Sequence, residues 1–163
     1  MRLTFWTGFW IFLLDQATKF IVLYGVKLES QPNQTYDIFA PFLTLRMAWN
    51  TGVNFGLFAD FDMRWVLVAV ALLISVFVIW WIRREKVGCW ANISAGILVG
   101  GELGNVVDRV LHGAVADFLN MSCCGINNPY AFNIADISIF AGAVGLVLFT
   151  DGGGKKDDKK KTA

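Results

Sequence analysis

Two aspartates, Asp117 and Asp136, have the type and setting to do acid–base chemistry as a pair. Asp117 stands in Ala114-Val115-Ala116-Asp117-Phe118 and Asp136 in Phe132-Asn133-Ile134-Ala135-Asp136, so both carboxyls have mostly apolar neighbours. Two carboxyls held close share a proton, because ionising the second against the charge of the first is unfavourable. One acid and one base at neutral pH is what activation of water against a peptide bond requires. Spacing alone leaves a second reading open, in which these are two unrelated acids at an interface.

Other polar residues lie where they are costly. Asp15 and Lys19 interrupt an apolar stretch near the start of the chain. A charge at mid-bilayer costs about 2.5–3.5 kcal/mol, so the two together cost roughly 5–7 kcal/mol. About ten large apolar residues in the same stretch, at roughly −0.3 to −0.6 kcal/mol each, barely offset this. Their i,i+4 spacing with the acid first is the favourable order for a helical ion pair, which reads as a buried pair bracing the fold. Gly100-Gly101-Glu102-Leu103-Gly104-Asn105-Val106-Val107-Asp108-Arg109 is a third polar set. Asn105, Asp108 and Arg109 share one helical face by their spacing, and that face has to line a protein interior or a wet cavity. Glu102 lies deeper, and the small residues allow close helix approach.

The elements that carry these residues are apolar. Of the 163 residues 56% are hydrophobic, above the 45–50% usual for soluble domains. Four stretches are long enough for membrane helices, at 5–26, 65–82, 87–107 and 130–150. The chain reads as one domain over 1–150, a membrane all-α bundle of four transmembrane helices. The first stretch is not a signal peptide by its pattern, because Asp15 and Lys19 fall where such a peptide is uniformly apolar and no small-x-small site follows.

Basic residues set the direction. Arg2, Arg83, Arg84, Lys86, Lys155, Lys156, Lys159, Lys160 and Lys161 fall on one side, against Lys27, Arg46 and Arg64 on the other. The positive-inside rule then puts both termini in the cytoplasm and segments 27–64 and 112–129 outside. Asp117 and Asp136 fall at one level, near the outer surface. The end of the chain, 151–163, is Gly-rich and then Lys/Asp-rich, and reads as a solvated, disordered basic tail.

The first outer loop, about 27–64, contains a period of two from Phe42 to Trp49, between Pro41 and the Asn50-Thr51-Gly52 turn. This predicts a strand and a small β-element on the outer face. Gly52, Gly56 and Gly125 would let the outer loops move. Cys89, Cys123 and Cys124 form no CxxC spacing and His112 is the only imidazole, which speaks against a zinc site.

The same residues carry a resemblance. The chain resembles the bacterial lipoprotein signal peptidases, or signal peptidase II, over nearly its whole length. Asp15-Gln16-Ala17-Thr18-Lys19 is similar to that family's DxxxK motif and Asn50-Thr51-Gly52 to its NxG segment. Gly100 to Arg109 is similar to its GGxxGNxxDR motif. Val115-Ala116-Asp117-Phe118 and Phe132-Asn133-Ile134-Ala135-Asp136 are similar to its two aspartate motifs.

The resemblance implies an aspartyl endopeptidase of the bacterial inner membrane. It would remove the signal peptide from diacylglyceryl-modified prolipoproteins, cutting before the lipidated cysteine. It implies that Asp117 and Asp136 are catalytic, and that Asn50, Asn105, Arg109 and Asn133 line the pocket or hold substrate. Asp15, Lys19 and Asp108 would brace the site. It implies lipidated prolipoproteins and membrane lipid as partners, a monomer, no nucleic acid, and no metal or cofactor. Glu102, Asn54 and Ile137 depart from the usual pattern, and Cys123 and Cys124 decorate the last outer loop.

Two other readings stand beside it. Asp15, Lys19, Glu102 and Asp136 could form a proton relay in a small transporter. Against that, the sequence has no inverted repeat and its polar groups cluster outward rather than at the midplane. A non-catalytic assembly factor would not need both aspartates.

Overall fold

A computed structural model describes residues 1–52, 63–123 and 128–150. Asn54, Gly56, Cys124, Gly125 and the tail 151–163, singled out above, lie outside the described residues. The elements in order are α1 (Arg2–Phe20), β1 (Thr35–Phe39), β2 (Leu43–Asn50), α2 (Arg64–Arg84), α3 (Cys89–His112), β3 (Val115–Asn120) and α4 (Ile134–Thr150).

The helices are inside-out relative to those of a soluble protein. In α1 the buried residues are Thr4, Asp15 and Lys19, while Phe5, Trp6, Phe9 and Trp10 face outward. In α2 a stripe of Val68, Ala71, Ser75, Val78 and Ile82 is buried at helical spacing, and Leu73, Val76 and Phe77 are exposed. Exposed apolar side chains of this density suit a lipid environment, where no hydrophobic penalty attaches to them.

The central helix is α3, which packs on α1, α2 and α4. Its small residues explain why. A Cβ on Gly100 would strike the backbone oxygen of Gly8 in α1, and one on Gly101 would come within 2.6 Å of the Ala135 oxygen in α4. Without side chains at these positions the backbones approach closely, as membrane helices do at small-residue interfaces.

A membrane assignment by length alone is narrower than expected. Among the described residues two helical stretches, Arg2–Ser30 and Arg64–Arg84, are long and apolar enough to cross a bilayer. The 24-residue α3 has the length but carries Glu102, Asn105, Asp108 and Arg109. The apolar α4 has 17 residues, a rise of about 26 Å against roughly 30 Å of hydrocarbon. The boundaries also move. The third helix runs on to His112, five residues past the expected end at 107, so Asp117 follows it closely. The fourth starts at Ile134 rather than 130. The first gives way after Phe20 to a wider turn over Ile21–Gly25, in which the Val26 N–H reaches back to the Ile21 oxygen at 2.8 Å. Such π-type turns recur beside functional groups, and this one begins two residues after Lys19.

The expected strand is present as β2, shifted by one residue to Leu43–Asn50 from the expected Phe42–Trp49. It sits in a three-stranded antiparallel sheet of order β1-β2-β3. The unexpected strand is β3, which carries Asp117 and pairs Ala48 with Asp117 and Asn50 with Val115. Beneath the sheet lie Val22, Leu28, Leu45, Met47, Ala116 and Phe118. The chain then returns so that Phe132 bridges Leu119, with the Phe132 N–H donating to the Leu119 oxygen at 3.0 Å. That bridge brings the start of α4 alongside β3.

Candidate active site

The position of Asp136 follows from how α4 begins. Asn133 is the N-cap: its Oδ1 accepts the backbone N–H of Asp136 at 2.9 Å. In return Asp136 Oδ2 accepts the backbone N–H of Asn133 at 3.2 Å. This is a capping box, here written with Asn and Asp, which satisfies two helix-end donors reciprocally. The positive end of the helix dipole favours a carboxylate in that first turn. The other oxygen, Oδ1, accepts from Asn105 Nδ2 of α3 at 2.9 Å. Asp136 is half-buried, so one side of it stays accessible.

Asp117 is held by the sheet. On β2, Asn50 lies two residues from Ala48, the partner of Asp117, and therefore on the same face. Asn50 Nδ2 donates to Asp117 Oδ2 at 3.0 Å, while its Oδ1 accepts the Gly52 N–H at 2.8 Å. Gly52 has φ +78°, a left-handed backbone that glycine adopts without strain. The turn thereby fixes which end of the Asn50 amide faces Asp117.

Asn133 joins the two acids. Its Nδ2 donates to Asp117 Oδ1 at 2.6 Å while its Oδ1 and backbone N–H grip Asp136. Asn133 is fully buried and Asp117 is 3% exposed. Burial, and then the charge of Asp136, push the Asp117 carboxyl up to about 6, against the opposing pull of the Asn50 and Asn133 hydrogen bonds and of Lys19.

Behind the aspartates lies a buried ion cluster. Lys19 Nζ is 2.8 Å from Asp15 Oδ2 and 2.8 Å from Asp108 Oδ2. The expected i,i+4 pair is therefore present and has a second acid, from α3. Each acid also anchors a backbone: Asp15 Oδ1 accepts the Ala135 N–H at 2.9 Å, and Asp108 Oδ2 accepts the Ala116 N–H at 3.2 Å. These amides immediately precede Asp136 and Asp117. The cluster thus fixes the backbone carrying each carboxyl. Lys19 also donates to Asn105 Oδ1 at 3.2 Å.

Two acids, each gripped by amide donors and joined through one asparagine, form an arrangement able to hold one proton and activate water. The sequence model of the family described as Signal peptidase (SPase) II matches residues 8–150. The chain belongs to the signal peptidase II family. That family makes the chain a membrane protease. It is 41% identical to the lipoprotein signal peptidase of Methylorubrum extorquens (strain PA1), over 83% of this chain and 77% of that one. It is 37% identical to the lipoprotein signal peptidase of Aeromonas hydrophila subsp. hydrophila, over 96% of this chain and 90% of the relative. Two solved bacterial membrane enzyme structures share the fold. One has a TM-score of 0.76 at 23% identity, covering 96% of this chain and 93% of that one. The other has a TM-score of 0.78 at 21% identity, covering 91% and 92%.

Within this signal peptidase II fold, Asp117, Asp136, Asn50, Asn105 and Asn133 come together in one network. Arg109 lies at its edge: its Nη1 reaches the backbone oxygen of Asn105 at 3.4 Å, and its buried Nε has no hydrogen-bond partner among the described residues. Glu102 is half-buried on α3, on the same helix as the network.

Three further polar side chains, given no site role by the sequence, support this arrangement. Gln16 Nε2 bonds Asp15 Oδ2 at 3.1 Å and reaches Asp108 Oδ1 at 3.4 Å, closing the ion cluster. Asn120 Nδ2 donates to the backbone oxygens of Asn128 at 2.8 Å and Tyr130 at 2.7 Å, tying β3 to the return toward α4. Trp49 Nε1 donates to Glu29 Oε1 at 2.7 Å. One signal was available for α4: Asn-x-x-Asp at the head of an apolar run marks a capping box.

Proposed function

We propose that this signal peptidase II family member removes the signal peptide from prolipoproteins whose cysteine carries diacylglycerol, cutting immediately before that cysteine. Asp117 and Asp136 activate the water. The observation that carries this reading is Asn133, which donates to Asp117 at 2.6 Å while capping α4 at Asp136.

The division of labour follows from burial. Asp117, pushed up to about 6, is the better proton holder. Entry of a lipidated substrate dries the site further and raises it again. Asp136, half-buried and so the more accessible of the two, takes the proton from water as that water attacks the scissile carbonyl. Asp117 gives its proton to the carbonyl oxygen as the water adds; when the tetrahedral intermediate collapses, Asp136 passes the proton it took to the leaving amine and Asp117 takes one back from a hydroxyl of the intermediate, so the pair returns to its starting state. Asn50 and Asn105 hold the two carboxyls, and Arg109 lines the pocket.

The remaining assignments belong to the same reading. Four spans within 1–150 cross the bacterial inner membrane, with both termini cytoplasmic and the acids near the outer surface. The basic excess on one side supports this. A cysteine held by acyl chains keeps its neighbouring peptide bond near the headgroup level, where Asp117 on the sheet and Asp136 at the head of α4 would meet it. The enzyme acts as a monomer with no metal or cofactor.

The test is cleavage of a purified prolipoprotein with and without its diacylglyceryl group, read by mass. The reading expects a product beginning at the lipidated cysteine, from the lipidated substrate only. Equal cleavage of both forms, or a cut elsewhere, would overturn it.

A further inference from the structure

Lys19 does more in this structure than neutralise acids. An ammonium donates three hydrogen bonds and accepts none. Its acceptors are Asp15 Oδ2 at 2.8 Å, Asp108 Oδ2 at 2.8 Å and Asn105 Oδ1 at 3.2 Å. The third contact falls on a neutral carboxamide, and that carboxamide touches Asp136. Asn105 is 5% exposed, so water does not set its orientation.

A side-chain amide has a donating and an accepting end, and its neighbours decide which way it points. On one side of Asn105 stand two donors, Lys19 Nζ at 3.2 Å and Asn133 Nδ2 at 3.3 Å. On the other stands an acceptor, Asp136 Oδ1, at 2.9 Å from Asn105 Nδ2. Turning the amide over would set its NH₂ against the ammonium and its oxygen against the carboxylate. Asn133 alone would hold the present orientation weakly, because its Nδ2 is closer to Asp117 Oδ1, at 2.6 Å.

We infer that Lys19 is a positioning residue for hydrolysis: by holding Asn105 Oδ1 it turns the Asn105 NH₂ onto Asp136, where that donor stabilises the carboxylate that accepts the proton from water. This rests on the dyad reading above. It assigns Lys19 a task on the reaction beyond bracing the helices.

Removing Lys19 alone strands two buried acids and threatens folding. The test variant is therefore Lys19→Met with Asp108→Asn, which leaves the cluster's net charge unchanged. Asp15 keeps its bond to the Ala135 N–H, and an asparagine at 108 can still accept the Ala116 N–H. Other charged groups around Asp136 are Asp15 on α1, Glu102 and Arg109 on α3, and Asp117 on β3, all unaltered.

The experiment is a double-mutant cycle on kcat, with and without Asn105→Ala, in folded protein verified by thermal unfolding. With Asn105 present, the double change lowers kcat about 10–100-fold, the size of one hydrogen bond to a charged group, and leaves KM little changed. With Asn105 already Ala, the same change has almost no further effect on kcat. An equal loss in both backgrounds, or a loss carried by KM rather than by kcat, overturns the inference. Activity retained in Asp136→Asn would instead overturn the dyad reading beneath it. If the double variant does not fold, solid-state NMR on the intact protein decides: Asn105 Nδ2 lies nearer Asp136 Cγ than Lys19 Nζ. The reverse order sinks the inference.

Discussion

Asn133 and Asp136 hold each other by two reciprocal hydrogen bonds, at 2.9 and 3.2 Å, and those bonds are also the first turn of α4. One asparagine side chain therefore starts a helix, fixes one acid and, through its Nδ2, reaches the other. These roles separate by mutation. Serine at 133 can still cap the helix but cannot span to Asp117. Asn133→Ser is expected to keep thermal stability within about 1 kcal/mol while kcat falls about 10–100-fold. Asn133→Ala loses the cap as well and costs about a further 1 kcal/mol. Unfolding midpoints and kcat measured side by side check both, and a Ser variant with full activity would remove Asn133 from the site.

The raised Asp117 carboxyl has a stability consequence with a definite sign. A carboxyl moved from 3.8 to about 6 binds its proton more tightly in the folded state than in the unfolded one. Its contribution is intact below about pH 4 and is lost as pH rises through 6, by up to about 3 kcal/mol. Asp117→Asn has no charge to bury and does not share that loss. Relative to wild type, the variant should gain stability between pH 4 and pH 8. Unfolding in detergent across that range measures it, and a difference that stays flat with pH would contradict the burial argument.

Gly104 tests the ion cluster from the helix side. A Cβ there would collide with the Asp15 carboxylate, which grips both Lys19 and the Ala135 N–H. Gly104→Ala is expected to destabilise by about 1–3 kcal/mol, as overpacking of a tight interior does. Because Ala135 precedes Asp136, activity should fall together with stability. The comparison residue is Gly88, where a Cβ meets nothing within 4 Å. Thermal midpoints of the two Ala variants, with Gly88→Ala near wild type, give the measurement.

Much of this arrangement was legible in the sequence, for physical reasons. Asp15 and Lys19 announced themselves because charge inside an apolar run demands a partner, and the i,i+4 spacing named it. The alternation before Asn50 gave β2, since a period of two has few other meanings. Asp117 as a strand residue was not legible. Val115 to Leu119 shows no alternation, because β3 is buried on both faces and its pairing partner lies some 70 residues away. Asp108 as the second partner of Lys19 was equally hidden: only the packing of α1 against α3 brings them together. The start of α4 was readable from Asn133 and Asp136, but hydropathy, which runs on through Tyr130 and Phe132, outweighed the cap.

If Asp117 and Asp136 activate water together, a single substitution at either must stop hydrolysis. Purified Asp117→Asn and Asp136→Asn proteins, each shown to be folded, are incubated with a diacylglyceryl-modified prolipoprotein, and the mature form is quantified by mass. Cleavage should be lost in both, by at least about a thousandfold, since removing one member of an acid–base pair forfeits most of what the two achieve jointly. Near-normal turnover in either variant would contradict it.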